Sequence, residues 1–314
     1  MEAPGPSATL GMTRPAPRHP HRLVFLGTPA MAIEPLQALH AAGFEIALVV
    51  SRADAKRGRG GALVASPVKQ AALDLGLPVT DRVDDALEVG ADLGVVVAYG
   101  RIIRPHVLDA LAMVNLHFSL LPRWRGAAPV ERAILAGDDV TGVCVMAVEE
   151  GLDTGGTYAV AEVPIGPEQT ADELRAELVT VGSTLLVDAL RSGLGEPVEQ
   201  VGETTYAEKL QPAEHHLDWS APATELHRVI RLGEAWTTFR GRRLKVRAAH
   251  LARPDADPAP ALAPGELAPP LVGTGSDPLE LVEVQPEGKG RQAVGDWARG
   301  ARPKPGERLG DDPS

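Results

Sequence analysis

From Arg22 to about Leu210 the sequence alternates short apolar runs with segments of helical period, and no other feature restricts the fold as much. The apolar runs are Arg22–Gly27, "FEIALVVS", "ADLGVVVAYG", "VNLHFS", "VTGVCVMAVE" and "GTYAVAEVPI". Between them lie "AIEPLQALHAAG", a segment from Pro67 to Gly76, and "APVERAILAG". Strands that alternate with helices predict an α/β domain built on a mostly parallel sheet. Pro35 complicates the first helix, and Gly43 ends it. A long helix, "TADELRAELVTVGSTLLVDALRSG", opens at Thr170 with Glu173 three residues on, which is the spacing of a capping box.

The remainder has a different texture. A helix, "APATELHRVIRLG", precedes β-like runs "RRLKVRAAHL" and "LELVEVQPEG", with a Pro/Gly/Ala-rich stretch from Pro254 to Pro270 between them. We expect a tail over residues 1–21, an α/β domain over 22–203 and a small β-rich domain over 204–314. The tail is rich in Pro, Arg and His and lacks the apolar core of a secretory signal. It reads as disordered, or as an overextended start with Met12 as the initiator. No apolar run approaches the ~20 residues that cross a membrane. The single cysteine, Cys144, excludes a disulfide framework within the chain and suits a reducing, cytoplasmic setting. A net charge of −11 argues against nonspecific coating of nucleic acid but leaves room for local basic patches.

Chemistry concentrates in "MVNLHFSLLPRWRGAAPVE", Met113 to Glu131. In a strand, residues two apart share a face, so Asn115 and His117 project together while Leu116 and Phe118 face the other way. They stand at the C-terminal end of a presumed parallel strand, where open α/β sheets hold their sites. There a carboxamide can donate to a developing oxyanion, and an imidazole can move a proton or share the donor role. Such a histidine needs an orienting carboxylate. Asp153, in "EEGLDTGG", is the first candidate, and Glu149 and Glu150 are alternatives. On chemistry alone a structural histidine competes evenly with this reading. "GTP" after the first strand lacks the G-x-G-x-x-G spacing of a dinucleotide fingerprint and the lysine of a P-loop. Basic residues gather in two places: Arg52, Lys56, Arg57 and Arg59 in the glycine-rich "SRADAKRGRGG", and Arg243, Lys245 and Arg247 alternating along one predicted strand.

"NLHFSLLPRWRGAAP" together with "GLDTG" resembles the 10-formyltetrahydrofolate-dependent formyltransferases. "FLGTP", "RGRGGALVASPVK", "VVVAYGRII", "TYAEKL", "LDWS", "AWTTF" and "PGERLG" are similar, in the same order, to the branch acting on methionyl-tRNA. The resemblance spans roughly Arg22 to Gly310. It implies a Rossmann-like catalytic domain and an OB-like C-terminal domain that helps hold tRNA. It also implies transfer of the formyl group of 10-formyltetrahydrofolate to the α-amine of methionyl initiator tRNA, with no metal required. Asn115, His117 and Asp153 match the family's catalytic trio, and Ser119, Leu120, Leu121 and Pro122 match its folate site. Arg52, Lys56, Arg57 and Arg59 fall in the loop that enters the tRNA acceptor end, and Arg243, Lys245 and Arg247 form a second tRNA patch.

Three places depart from the family pattern: Phe118 replaces a small residue, Gly61 and Ala62 replace lysines, and the segment before Trp236 is contracted. A monomer is the default expectation. The rival readings are a formyltransferase of the same fold acting on glycinamide ribonucleotide or an amino sugar, and a catalytically silent tRNA- or folate-binding module.

Overall fold

The chain is described here by a computed structural model over residues 14–57, 61–252 and 261–311. Its seven-stranded main sheet has the order β10-β9-β7-β6-β1-β2-β5. Strand β1 (Arg22–Gly27) lies at the centre, with β2 (Glu45–Val50) on one side and β6 (Leu93–Val97) on the other, all parallel. Beyond β2 lies β5 (Val79–Thr80), and beyond β6 lies β7 (Met113–His117), also parallel. Then β9 (Val140–Ala147) runs antiparallel to β7, and β10 (Thr157–Pro164) forms the edge. Burial on both faces explains the unbroken apolar runs: every residue of "LVFLG" in β1 and "LGVVV" in β6 is buried. A short antiparallel hairpin, β3 (Ala55–Arg57) with β4 (Ala62–Val64), occupies the basic glycine-rich segment expected as a loop.

The helices start where local chemistry allows. Helix α1 (Ile33–Ala41) follows a 3₁₀ turn at Ala30–Ala32, so Pro35 falls in the first turn, where its missing N–H costs no hydrogen bond. Helix α2 (Pro67–Asp74) is capped by Ser66, whose Oγ accepts from the Lys69 amide at 3.1 Å, with Pro67 in the first helical position. Helices α3 (Pro105–Ala110) and α4 (Pro129–Ala136) follow β6 and β7. Helix α5 (Ala171–Ser192) begins with the expected capping box: the Thr170 amide donates to Glu173 Oε2 at 2.9 Å, and the Glu173 amide donates to Thr170 Oγ1 at 3.3 Å.

After α5 the chain makes β11 (Tyr206–Ala207), which pairs in parallel with β8 (Arg125–Gly126). These two-residue strands are too short for any periodicity to reveal. Helix α6 (Ala223–Arg231) then leads into an antiparallel sheet of β12 (Trp236–Phe239), β13 (Arg242–Leu251), β16 (Leu279–Pro286), β15 (Leu271–Val272) and β14 (Leu267–Ala268), with β17 (Gln292–Ala293) beside β16. Helix α7 (Val294–Ala301), not expected from the sequence, closes this core with Trp297, whose ring meets Phe239 edge-on at 5.2 Å.

The chain divides into two compact units: residues 1–129, 141–163 and 176–207, and residues 130–140, 164–175 and 208–314. Residues 14–21, expected as part of a disordered tail, are instead tied down. The Arg18 carbonyl accepts from the Leu194 amide at 2.7 Å, and Arg14 donates to the Ala110 carbonyl. Residues 1–13 lie outside the described residues.

Within the second unit, α6 buries His227 beside the Glu168 carboxylate, 3.1 Å from its Nε2. Burial pushes the His227 imidazole below its ordinary value, and Glu168 opposes this only in part. The unfolded chain therefore binds that proton more readily than the folded one. The stability tied to neutral His227 is present above the ordinary histidine value and is lost as pH falls below it. Thermal melts from pH 7.5 down to pH 5.5 are expected to show a falling midpoint in the parent chain and a flatter dependence in His227→Gln.

Candidate active site

The site is built on β7 and the turn after it. Asn115 pairs with Val96 on one side and Met146 on the other, and His117 lies across from Cys144. Both side chains share a face at the C-terminal end of the parallel strands. Leu116 and Phe118 are buried in the core, which accounts for the large residue at 118. Asn115 is half-buried, and its carboxamide has no hydrogen-bond partner among the described residues. An amide in that position is ready to donate to a carbonyl or oxyanion. Cys144 is not a competing nucleophile, because burial pushes its thiol up to about 11.

His117 is only 5 % exposed, and its orientation comes from the main chain. Its Nε2 lies 3.0 Å from the Trp124 carbonyl. A carbonyl can only accept, so Nε2 carries the hydrogen and Nδ1 is turned toward Asp153, whose Oδ2 stands 3.7 Å away. That separation is an ion-pair distance and exceeds a hydrogen bond. Asp153 Oδ2 instead accepts from the Gly126 amide at 2.8 Å. The expectation that the carboxylate holds the imidazole is therefore refined: the Trp124 carbonyl orients the ring, and Asp153 supplies charge at its other nitrogen.

Both supports sit on unusual backbone. Trp124 has φ 62° and Asp153 has φ 49°, left-handed conformations that cost a non-glycine residue about 1–2 kcal/mol. The turn repays this through contacts. Ser119 Oγ donates to the Arg123 carbonyl at 2.6 Å, the Trp124 amide donates to Thr205 Oγ1 at 2.9 Å, and the Ala127 amide donates to the Ala207 carbonyl at 2.8 Å. Glu149 accepts from Thr154 Oγ1 at 3.2 Å within its own loop, and Glu150 is exposed, so neither alternative replaces Asp153. Trp124, Gly126, Gln200 and Thr205 escaped the sequence reading. Main-chain donors and acceptors carry no residue-type signal, and Gln200 and Thr205 are brought in by the return of the chain after α5.

Of the four residues matched to a folate site, Ser119 is fully buried with its hydroxyl committed to the turn, and Pro122 is buried. Leu120 and Leu121 are half-buried. Among the basic residues, Arg52 and Lys56 are exposed, the backbone of Arg57 belongs to β3, and Arg59 lies outside the described residues. On β13, Lys245 and Arg247 both pair with Glu234, and Arg247 also donates to Gln285 Oε1. Arg243 has no carboxylate partner among the described residues and lays its guanidinium 4.4 Å over the half-buried Trp236 ring. Of the three expected cations, two share one carboxylate and Arg243 alone has no acidic partner among the described residues.

The chain matches the formyl transferase family model over residues 21–190 and the model of the formyl transferase C-terminal domain over residues 209–302. It is 45 % identical to the methionyl-tRNA formyltransferase of Thermobifida fusca over 93 % of this chain and 100 % of that one. The chain belongs to the methionyl-tRNA formyltransferase family. Against the enzyme of that name from Streptomyces coelicolor it is 45 % identical, over 92 % of this chain and 100 % of the relative. Solved structures share the fold at low identity. An N-formyltransferase from Helicobacter canadensis in complex with folinic acid and dTDP-3-aminofucose superposes with a TM-score of 0.62 at 16 % identity, over 82 % of this chain and 98 % of that one. HypX from Aquifex aeolicus with tetrahydrofolic acid gives 0.60 at 16 %, over 89 % of this chain and 47 % of that one.

Gly126 is the least replaceable residue of the turn in this family member. Its φ is 124°, and a Cβ there would come 2.9 Å from the Ala207 carbonyl oxygen. Gly126→Ala is expected to lower stability by roughly 1–3 kcal/mol, read by denaturant titration, and to disturb the amide that holds Asp153.

Proposed function

We propose that the chain transfers the formyl group of 10-formyltetrahydrofolate to the α-amine of methionine esterified to initiator tRNA. Three things support the reading: near-full-length identity to relatives that carry that name, a folate in a solved structure of the same fold, and the site itself. The observation that carries the chemistry is the Asn115 carboxamide, without a hydrogen-bond partner among the described residues, on the same strand face as a histidine with a carboxylate 3.7 Å from its Nδ1.

An α-amine has an ordinary pKa of about 7.7–8.0, and esterification of the neighbouring carboxyl lowers it, so much of it is neutral at pH 7. Attack on the formyl carbon places negative charge on the formyl oxygen. Asn115 donates to that oxygen. His117, fixed by the Trp124 carbonyl, takes the amine's proton at Nδ1 beside the Asp153 carboxylate; collapse of the adduct then breaks the bond between the formyl carbon and N10, the proton passes to N10, and tetrahydrofolate leaves. Residues 22–203 would carry this chemistry and residues 204–314 would contribute to holding tRNA. The cytoplasm, where charged tRNA is used, is the fitting compartment.

The deciding assay offers charged initiator tRNA, glycinamide ribonucleotide and an amino-sugar nucleotide in turn with 10-formyltetrahydrofolate. Formylation of the tRNA alone is expected, and preference for a small amine would overturn the reading. Asn115→Ala and Asp153→Ala are each expected to lower kcat by about 10²–10³-fold, the usual loss for an oxyanion donor or its equivalent, while tRNA affinity changes little.

Cation contacts make a separate prediction. Arg243→Ala should reduce the slope of log affinity for tRNA against log salt by about one, and Lys245→Ala, already paired with Glu234, by much less. Arg59→Ala should weaken tRNA use and leave folate binding intact. Filter binding across a salt series measures the first effect, and folate titration checks the second.

A further inference from the structure

The loop that carries Asp153 does not hold its left-handed conformation by itself. Both of its main-chain oxygens nearest the carboxylate point at a single side chain from another part of the first unit. Gln200 Nε2 donates to the Asp153 carbonyl at 2.8 Å and to the Gly155 carbonyl at 2.7 Å. The other end of the same amide accepts two bonds from Arg125, Nε at 3.1 Å and Nη2 at 2.6 Å. A glutamine has two N–H donors and two lone pairs, so all four of its bonds are used here.

The placement of those bonds is informative. Arg125 immediately precedes Gly126, whose amide donates to Asp153 Oδ2 at 2.8 Å, and follows Trp124, whose carbonyl accepts from His117 Nε2 at 3.0 Å. Gln200 therefore fastens the Asp153 loop to the turn that orients His117, and sets the carboxylate and imidazole against each other from behind. Its own position is fixed on both sides: Val198 is bridged to Thr157, and Tyr206 and Ala207 pair with Arg125 and Gly126. Gly155 lets the loop pack closely against β9, because a Cβ there would stand 2.0 Å from the Ala147 carbonyl oxygen.

We propose that Gln200 is a positioning residue for the formyl-transfer centre, acting through Asp153 and touching neither substrate. The proposal rests on the reading of Asp153 and His117 as the reacting pair. Gln200→Ala removes all four bonds. Gln200→Glu keeps the size and the acceptor for Arg125 but sets a carboxylate oxygen against two carbonyl oxygens, where no hydrogen bond is possible. Both variants are expected to lower kcat at least tenfold, with KM for tRNA and for the folate donor held within about threefold.

Two further measurements separate positioning from a merely structural role. In Gln200→Ala/Asp153→Asn, the loss of kcat should be close to that of Asp153→Asn alone, since a residue acting through Asp153 has nothing left to act on. Amide hydrogen exchange at Gly126 should accelerate in Gln200→Ala, and this readout needs no substrate. Wild-type kcat in Gln200→Glu, or fully additive losses in the double variant, would overturn the proposal. Should the parent chain fail to formylate tRNA, the functional reading falls, while the exchange result still reports whether Gln200 holds the loop. If Gln200→Ala does not fold, the near-isosteric Gln200→Glu carries the test.

Discussion

The hydrogen bond from His117 Nε2 to the Trp124 carbonyl is the constraint around which the catalytic unit is arranged. It makes a neutral, unreactive group choose the tautomer of the reactive one. Everything near it serves either to place that carbonyl or to exploit the nitrogen it leaves over. The turn from Ser119 to Gly126 accepts a left-handed tryptophan so that the oxygen reaches back to the strand, and parallel pairing with Tyr206 and Ala207 fixes the far end of the turn. A side-chain carboxylate could have oriented the ring directly. Using a carbonyl instead leaves the carboxylate 3.7 Å from Nδ1, beyond hydrogen-bond distance and free to accept from the Gly126 amide.

Charge follows a similar economy. The protein carries a net charge of −11, yet its family acts on a polyanion. On β13 two of three aligned cations share one carboxylate, Glu234, and Arg243 is spread over an indole instead. A guanidinium stacked on a ring keeps its charge and its outward N–H groups while losing conformational freedom, which suits repeated contact with phosphate better than a mobile lysine does.

Much of the fold was legible because buried parallel strands leave continuous apolar runs and the long helix α5 carries an explicit start signal at Thr170. Asn115 and His117 could be placed on one face from strand geometry alone, whereas the large residue at 118 made sense only once its burial in the core was seen. What the sequence did not disclose has a common physical cause. The Trp124 carbonyl, the Gly126 amide and the pairing of β8 with β11 are main-chain contacts, identical for any residue type. The grip of Gln200 depends on residues 47 and 75 positions away in the chain. Lys245 and Arg247 read as a basic face because nothing in their own strand shows that Glu234 pairs with both. Helix α7 was missed because "VGDWARGA" is short and holds two glycines.

The two compact units are not consecutive in the chain, and that has a consequence for synthesis. The polypeptide leaves the first unit at Val130, returns at Thr141, leaves again at Pro164 and returns at Ala176. The first unit is complete once Ala207 has emerged from the ribosome, but residues 130–140 and 164–175 then belong to a core that has not yet been made. Arg132 has no Glu214, the carbonyls of Gly166 and Gln169 have no Arg231, and Glu168 has no His227 until a further stretch of chain is translated. Those contacts wait on chain that is still being made, and a chain stopped near Ala207 would never form them.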